Sequence, residues 1–115
     1  MVEIKSGSEL DRAVAEAIGF VATHRVLGGL EAFVNPRDGS GAKPMIFMPS
    51  VDLNDAFSAA EAVWLFKDGD HVLRQEVSDE SWEVARLYSS SEVIVSSETT
   101  PALAICGAIL ALAET

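Results

Sequence analysis

The segment 38–44, Asp-Gly-Ser-Gly-Ala-Lys-Pro, combines glycines with a lysine, the residue types from which phosphate-binding loops are built. Such a loop needs Gly-Lys followed by Ser or Thr and then by a helix whose first backbone amides face the phosphates. Here Pro44 follows Lys43, and a short β-prone run, Met45 to Met48, comes next. The spacing therefore predicts a polar surface loop without a phosphate site.

Two histidines, His24 and His71, are the residues best suited to metal binding. Each lies in a predicted strand, and no second ligand stands near either one at a spacing typical of metal sites. The run Asp68-Gly69-Asp70 is similar to the start of a calcium loop, but the later acidic positions and the final glutamate of such a loop are missing. We therefore expect no metal site and no cofactor.

Cys106 and several serines are the candidate nucleophiles. Cys106 lies inside the apolar run 102–113, whereas a reactive thiolate needs a cationic or helix-start environment and access to solvent. The serines at 89–91 and 96–97 lack the Gly-x-Ser-x-Gly turn that exposes a catalytic serine. We expect a buried Cys106, serines in turns and at strand ends, and a protein that is not an enzyme.

Trp82, Arg86 and Tyr88 form the first candidate binding surface. They share one face of a predicted strand with Val84, because side chains alternate along a strand. An arginine between two aromatic rings on an exposed face is suited to stacking on a small planar ligand. The alternative is that a helix covers this face and Arg86 extends to its rim. The sequence leaves both arrangements open.

The predicted start of the second helix, capped by Asp52 or Ser50, is the other candidate surface. Ser50, Asp52 and Asn54 converge there with the first backbone amides, and helix starts attract anions. Arg86 or Arg25 would assist an anion, whereas the acidic residues of this helix start oppose it. The ligand or partner surface predicted from sequence therefore consists of Ser50, Asp52, Asn54, Trp82, Arg86 and Tyr88.

Composition narrows the class of protein. The 115 residues are expected to form a single domain, 1–115, of ordinary size. Eighteen acidic and eight basic residues give a formal charge of −10, which repels phosphate backbones and argues against nucleic-acid binding. The single cysteine favours a reducing compartment, and no secretory signal is recognisable. The last apolar run is shorter than the roughly 20 residues that span a membrane. We expect a cytoplasmic protein without membrane contact.

Hydrophobic spacing predicts the order helix, β-hairpin, helix, three strands, helix. The first helix begins at a Ser8 cap, with Asp11 in the capping-box position, and ends at Gly19; Gly28-Gly29 turns the hairpin. The second helix buries an apolar stripe of Leu53, Ala56, Phe57, Ala60 and Trp64 and ends within 67–70. Short turns favour antiparallel pairing of the later strands, His71 to Val77, Trp82 to Tyr88 and Glu92 to Ser97.

Three stretches carry a family resemblance. They are 10–16, Leu-Asp-Arg-Ala-Val-Ala-Glu; 49–57, Pro-Ser-Val-Asp-Leu-Asn-Asp-Ala-Phe; and 99–106, Thr-Thr-Pro-Ala-Leu-Ala-Ile-Cys. Together and in this order they resemble the phage ABA-sandwich domain, a family of small phage and prophage proteins. Val51 stands where the family often has Thr, and Phe57 where it often has Trp. The resemblance implies helices on both faces of a sheet and implies no activity and no catalytic residues.

The order of elements predicts an α+β fold with three helices and a mainly antiparallel sheet of about four to five strands. The resemblance implies that they form a three-layer α-β-α sandwich. The expected function is that of a small phage or prophage accessory protein, a non-enzymatic module in the bacterial cytoplasm. It would bind an unknown protein partner or associate with itself. The alternative is a protein that binds a small ligand, such as a nucleotide, and acts against host defence.

Overall fold

The computed structural model describes residues 7–27, 30–39, 43–67 and 69–113, the side chains of 24–27, 30 and 38 excepted. Over these ranges the protein is α+β, with three helices and two three-stranded antiparallel sheets. The helices are α1 (Ser8–Ala17), α2 (Leu53–Ala62) and α3 (Pro101–Ala113). The first sheet contains β1 (Val21–Leu27), β2 (Leu30–Val34) and β3 (Met45–Ile46); the second contains β4 (His71–Gln75), β5 (Trp82–Leu87) and β6 (Glu92–Glu98).

These elements confirm the predicted class, the three helices and the antiparallel pairing. In the hairpin, Leu27 faces Leu30 across the Gly28-Gly29 turn, which itself lies outside the described residues. The strands form two sheets of three, where the sequence predicted one sheet of about four to five. Each sheet is a meander in chain order, because the short turns pair each strand with the next one.

Helix α1 begins differently from the predicted capping box. Ser8 is the first residue of the helix, Gly7 precedes it, and within the described part of the chain no side chain caps its backbone amides. Asp11 is buried, and its Oδ1 accepts a hydrogen bond from the Ser50 backbone N–H at 2.8 Å. The Ser50 hydroxyl accepts one from the Gly7 N–H at 3.2 Å. The Asp11 carboxylate therefore joins α1 to the segment before α2 instead of capping its own helix.

The end of α1 follows the prediction. The Phe20 N–H donates to the Ala15 carbonyl at 2.8 Å and the Gly19 N–H to the Glu16 carbonyl at 3.1 Å. This pair of bonds is the Schellman motif, in which the residue after the helix adopts a left-handed conformation. Gly19 has φ of +93°, which glycine adopts without the steric penalty of a Cβ atom.

Helix α3 lies between the other two helices and the second sheet. Its first turn is capped by Thr100, whose Oγ1 accepts from the Leu103 N–H at 3.1 Å. Every residue from Ala102 to Ile109 is buried, and α3 contacts α1, α2 and all three strands of the second sheet. The apolar run 102–113 therefore forms a helix that is buried over its first turns and reaches the surface at its last one. No helix of the described residues is long and apolar enough to cross a membrane.

Helix α2 buries only part of the predicted stripe: Ala56 and Ala60 are buried as expected, but Leu53 and Phe57 are not. Its buried residues are Ala56, Ala59 and Ala60, whereas Leu53 and Phe57 are 41% and 44% exposed. The helix contacts α3, and both helices present small side chains to the shared core. Small residues let two helix backbones approach closely, so alanines occupy the contact and the larger apolar side chains turn outward.

The Asp11 contact generates a stability prediction. Asp11→Ala leaves the buried Ser50 N–H without its acceptor, so the free energy of unfolding should fall by about 1–3 kcal/mol. Glu9→Ala, which removes an exposed acid from the same turn, should change it by less than about 0.5 kcal/mol. Urea unfolding of both variants measures the difference. Equal losses in the two variants would show that the Asp11 contact does not stabilise this junction.

Candidate functional site

The start of α2 uses its polar groups within the fold. Ser50 is 2% exposed and is held by Gly7 and Asp11 as described above. Asp52 caps the helix, because its Oδ1 accepts from the Asn54 N–H at 2.9 Å and from the Asp55 N–H at 3.2 Å. The carboxylate thus occupies backbone amides that an external anion would need.

The residues of β5 separate into two groups. Trp82 packs against the core beside the buried Val84. Arg86 and Tyr88 are exposed, and the Arg86 guanidinium carbon lies 5.3 Å from the centre of the Tyr88 ring. The cation therefore contacts a single exposed ring at the end of the strand, while Trp82 belongs to the face that α3 covers. The side chain of Arg25, the other predicted anion partner, lies outside the described ones.

The remaining candidate ligands and nucleophiles are spread through the fold. His71 is buried at the start of β4, the His24 side chain and residues 40–42 lie outside the description, and Lys43 is exposed. Among the residues described, no three His, Cys, Asp or Glu side chains converge as metal ligands. Cys106 is fully buried, as predicted; burial, together with the negative charge of Asp11, raises the pKa of its thiol to about 12.

A feature that the sequence analysis missed lies at the end of α2. The Leu65 N–H donates to the Ala60 carbonyl at 2.9 Å, and the Trp64 N–H donates to the Glu61 carbonyl at 3.1 Å. This is the same Schellman motif that ends α1, and Trp64 occupies the glycine position with φ of +60°. The helix ends at Ala62, so the prediction that Trp64 lies on a buried helical stripe is wrong.

Trp64 combines an unfavourable backbone with an exposed side chain. A left-handed conformation costs a residue with a Cβ atom roughly 1–2 kcal/mol, and a bulky residue in it is an outlier. The Trp64 side chain is 65% exposed, so burial of its ring offsets only part of this cost. The next residue, Leu65, is buried in the core and secures the turn. The fold therefore displays an indole at a position where glycine would be less strained.

A cavity of about 540 Å³ lies between α2 and β4, next to this turn. The rings of Phe57 and Phe66 meet on its wall with centroids 6.1 Å apart and planes tilted by 55°. Phe57, Glu61 and Lys67 are exposed, so the cavity opens to solvent. Its lining is mostly apolar and consists of Phe57, Ala60, Glu61, Phe66, Lys67 and Leu73.

Two charged side chains connect this cavity with Trp64. The Lys67 Nζ lies 3.1 Å from the Glu61 Oε1 and 5.3 Å from the centre of the Trp64 ring. Lys67 therefore makes an ion pair and a cation–π contact at the same time. We refer to Phe57, Glu61, Trp64, Phe66 and Lys67 as the Trp64 surface. Among the described residues, it presents aromatic rings around an apolar cavity, with Glu61 and Lys67 at the rim.

A second charged cluster, on β4–β6, serves the fold. The Arg74 Nε donates to Glu83 at 2.6 Å, and its two terminal nitrogens donate to both carboxylate oxygens of Glu92 at 2.8 and 2.5 Å. These hydrogen bonds raise the pKa of Arg74 and lower that of Glu92. Glu83 lies opposite Arg74 in the β4–β5 register, so the guanidinium links three neighbouring strands.

No protein-family model, curated protein or solved structure matches this chain. The resemblance to the phage ABA-sandwich domain therefore rests on the three sequence stretches that carry it and stays a prediction. The Trp64 surface is independent of that resemblance, because it is defined by backbone conformation, exposure and contacts.

Proposed function

We propose that this protein is a non-enzymatic protein-binding module that engages a partner chain through the Trp64 surface. The observation that carries the proposal is the strained, exposed Trp64 in a position suited to glycine. Backbone strain at an exposed position serves folding poorly and is typical of functional sites. Tryptophan is also among the residues most enriched where protein interfaces concentrate their binding energy.

The surroundings of Trp64 support a protein partner. Protein interfaces place aromatic residues around an apolar centre and charged residues at the rim. Here the Phe57 and Phe66 rings line the cavity, while Glu61 and Lys67 stand at its opening. The large apolar side chains of α2 that the core does not use extend this surface by one helical turn, to Leu53.

Other features of the chain favour binding over catalysis. Cys106 is buried with a raised pKa, and Ser50 and Asp52 are engaged in structural hydrogen bonds. A formal charge of −10 opposes association with nucleic acid. The phage or prophage origin, the three-layer α-β-α arrangement and the location in the host cytoplasm are part of the same proposal and are supported by the sequence resemblance.

The strain at Trp64 predicts opposite outcomes for substitutions at the equivalent positions of the two Schellman motifs, Trp64 after α2 and Gly19 after α1. Trp64→Gly removes the strained side chain, so the free energy of unfolding should stay equal or rise by up to about 1 kcal/mol. Gly19→Ala should lower it by about 1 kcal/mol, because it introduces a Cβ atom at positive φ. That Cβ would come no closer than 4.0 Å to Arg37, so crowding does not confuse the comparison. Urea unfolding of both variants measures the effects.

The binding role is tested with the same Trp64→Gly protein. A bacterial protein retained by the immobilised wild type is purified and titrated against the variants by calorimetry. Trp64→Gly should weaken binding at least tenfold, as expected for an interface hot spot. Val77→Ser, which removes an apolar side chain that is 90% exposed in the β4–β5 turn, is the matched control and should bind as wild type. Equal binding by all three proteins would contradict the proposed surface.

A small ligand in the cavity is the second candidate function. The volume of about 540 Å³ lies within the range of small-molecule sites, and the lining is mostly apolar. A ligand present at 100 times its Kd would stabilise the protein by about 2.7 kcal/mol, which a thermal-shift screen of nucleotides and apolar metabolites would detect as a higher Tm. A ligand of the cavity should lose its effect in a Leu73→Trp variant, in which the cavity is filled. A screen without any shift would remove this candidate.

A further inference from the structure

We infer that the partner segment bound by the Trp64 surface is basic, with an arginine or lysine placed beside a bulky apolar side chain. This inference rests on the protein-binding function proposed above and adds the chemistry of the partner. Three observations carry it: the position of Lys67, the composition of the cavity and the charge of the chain.

The chain's own Lys67 shows what this surface accepts. Its ammonium group lies over the Trp64 ring and bonds to the Glu61 carboxylate, so a cation already occupies the position between ring and acid. The three side chains are largely exposed, and ion pairs at exposed positions are weak. A partner cation can therefore replace Lys67. Arginine suits the position best, because its planar guanidinium stacks on an aromatic face and bonds a carboxylate through two nitrogens.

The cavity supplies the apolar part of the recognition. Glu61 and Lys67 line it together with Phe57, Phe66 and Leu73, so the cation position and the apolar cavity share a boundary. One leucine or phenylalanine side chain is far smaller than the cavity of about 540 Å³, which leaves room for a backbone to approach. A partner with its cation within one helical turn of its apolar anchor fills both positions at once.

The net negative charge of the chain favours a partner of positive charge. The protein carries a formal charge of −10, so an acidic partner or a second copy would be repelled. Displacement of Lys67 frees that ammonium group and leaves Glu61 to the incoming cation. A basic segment is therefore attracted by the whole chain and recognised locally by Trp64 and Glu61.

The test begins with a random peptide-display library selected on the immobilised full chain. Peptides that also bind the Trp64→Gly protein are discarded. The retained peptides should carry Arg or Lys within four residues of a bulky apolar residue. A synthetic copy of the most enriched peptide is then titrated by fluorescence anisotropy. We expect its affinity for the wild type to fall at higher salt, as for a complex of opposite charges.

The affinity of the Lys67→Ala variant for the same peptide tests the displacement of Lys67 directly. Removing the internal cation should tighten binding of the basic peptide about two- to fivefold relative to Lys43→Ala, because Trp64 and Glu61 become available. Lys43 is exposed, and its loss changes the net charge by the same amount, so it controls for the general electrostatic effect. Equal affinities in the two lysine variants would overturn the displacement of Lys67 and with it the inference.

The remaining outcomes separate the inference from the proposed function. Retained peptides that need Trp64 but are neutral or acidic would overturn the basic partner and leave a protein-binding surface. A dimer seen by sedimentation that Trp64→Gly dissociates would likewise replace the basic partner with a second copy. A selection in which every enriched peptide also binds Trp64→Gly, so that none is retained, would overturn both the inference and the function on which it rests.

Discussion

The close contact between α2 and α3 is the constraint on which the rest of the structure depends. Helix α3 is buried from Ala102 to Ile109 and is surrounded by the other two helices and the second sheet. Helix α2 can join this arrangement because its inward face consists of alanines, which bring the backbones together with little side-chain volume between them. The buried segment of α3 is itself rich in small residues, Cys106 and Gly107 among them.

The outward face of α2 follows directly from this contact. With the alanines in the core, Leu53 and Phe57 lie at the edge of the buried face and are partly exposed, and the helix ends early enough to leave Trp64 outside it. Leu65 then returns to the core and fixes a Schellman turn with tryptophan at its left-handed position. The apolar surface and the strained residue thus have one origin, the way in which α2 is seated on α3.

Local signals predicted a large part of the fold. Gly19 ends α1, Asp52 caps α2, and short turns pair the strands as a meander. These features depend on neighbouring residues, so a single sequence contains them. The division of the strands into two sheets depends on contacts between distant segments, as does the use of Asp11 by the Ser50 backbone.

The candidate site was hidden for a related reason. In α2 two apolar stripes overlap, one of alanines and one of larger residues, and both have helical spacing. Hydrophobicity favours the larger stripe, but the close approach to α3 selects the alanines. A glycine usually signals the end of a helix, and position 64 has a tryptophan instead, so the sequence does not mark the end of α2 there.

The central claim is that Trp64 is displayed to solvent and becomes covered when a partner binds. Acrylamide quenching of fluorescence tests it most directly in a Trp82→Phe variant, where Trp64 is the remaining tryptophan. The structure predicts strong quenching in the free protein and protection when the basic peptide is added. Weak quenching in the free protein would contradict the exposed position of Trp64, and strong quenching in the complex would contradict its role in binding.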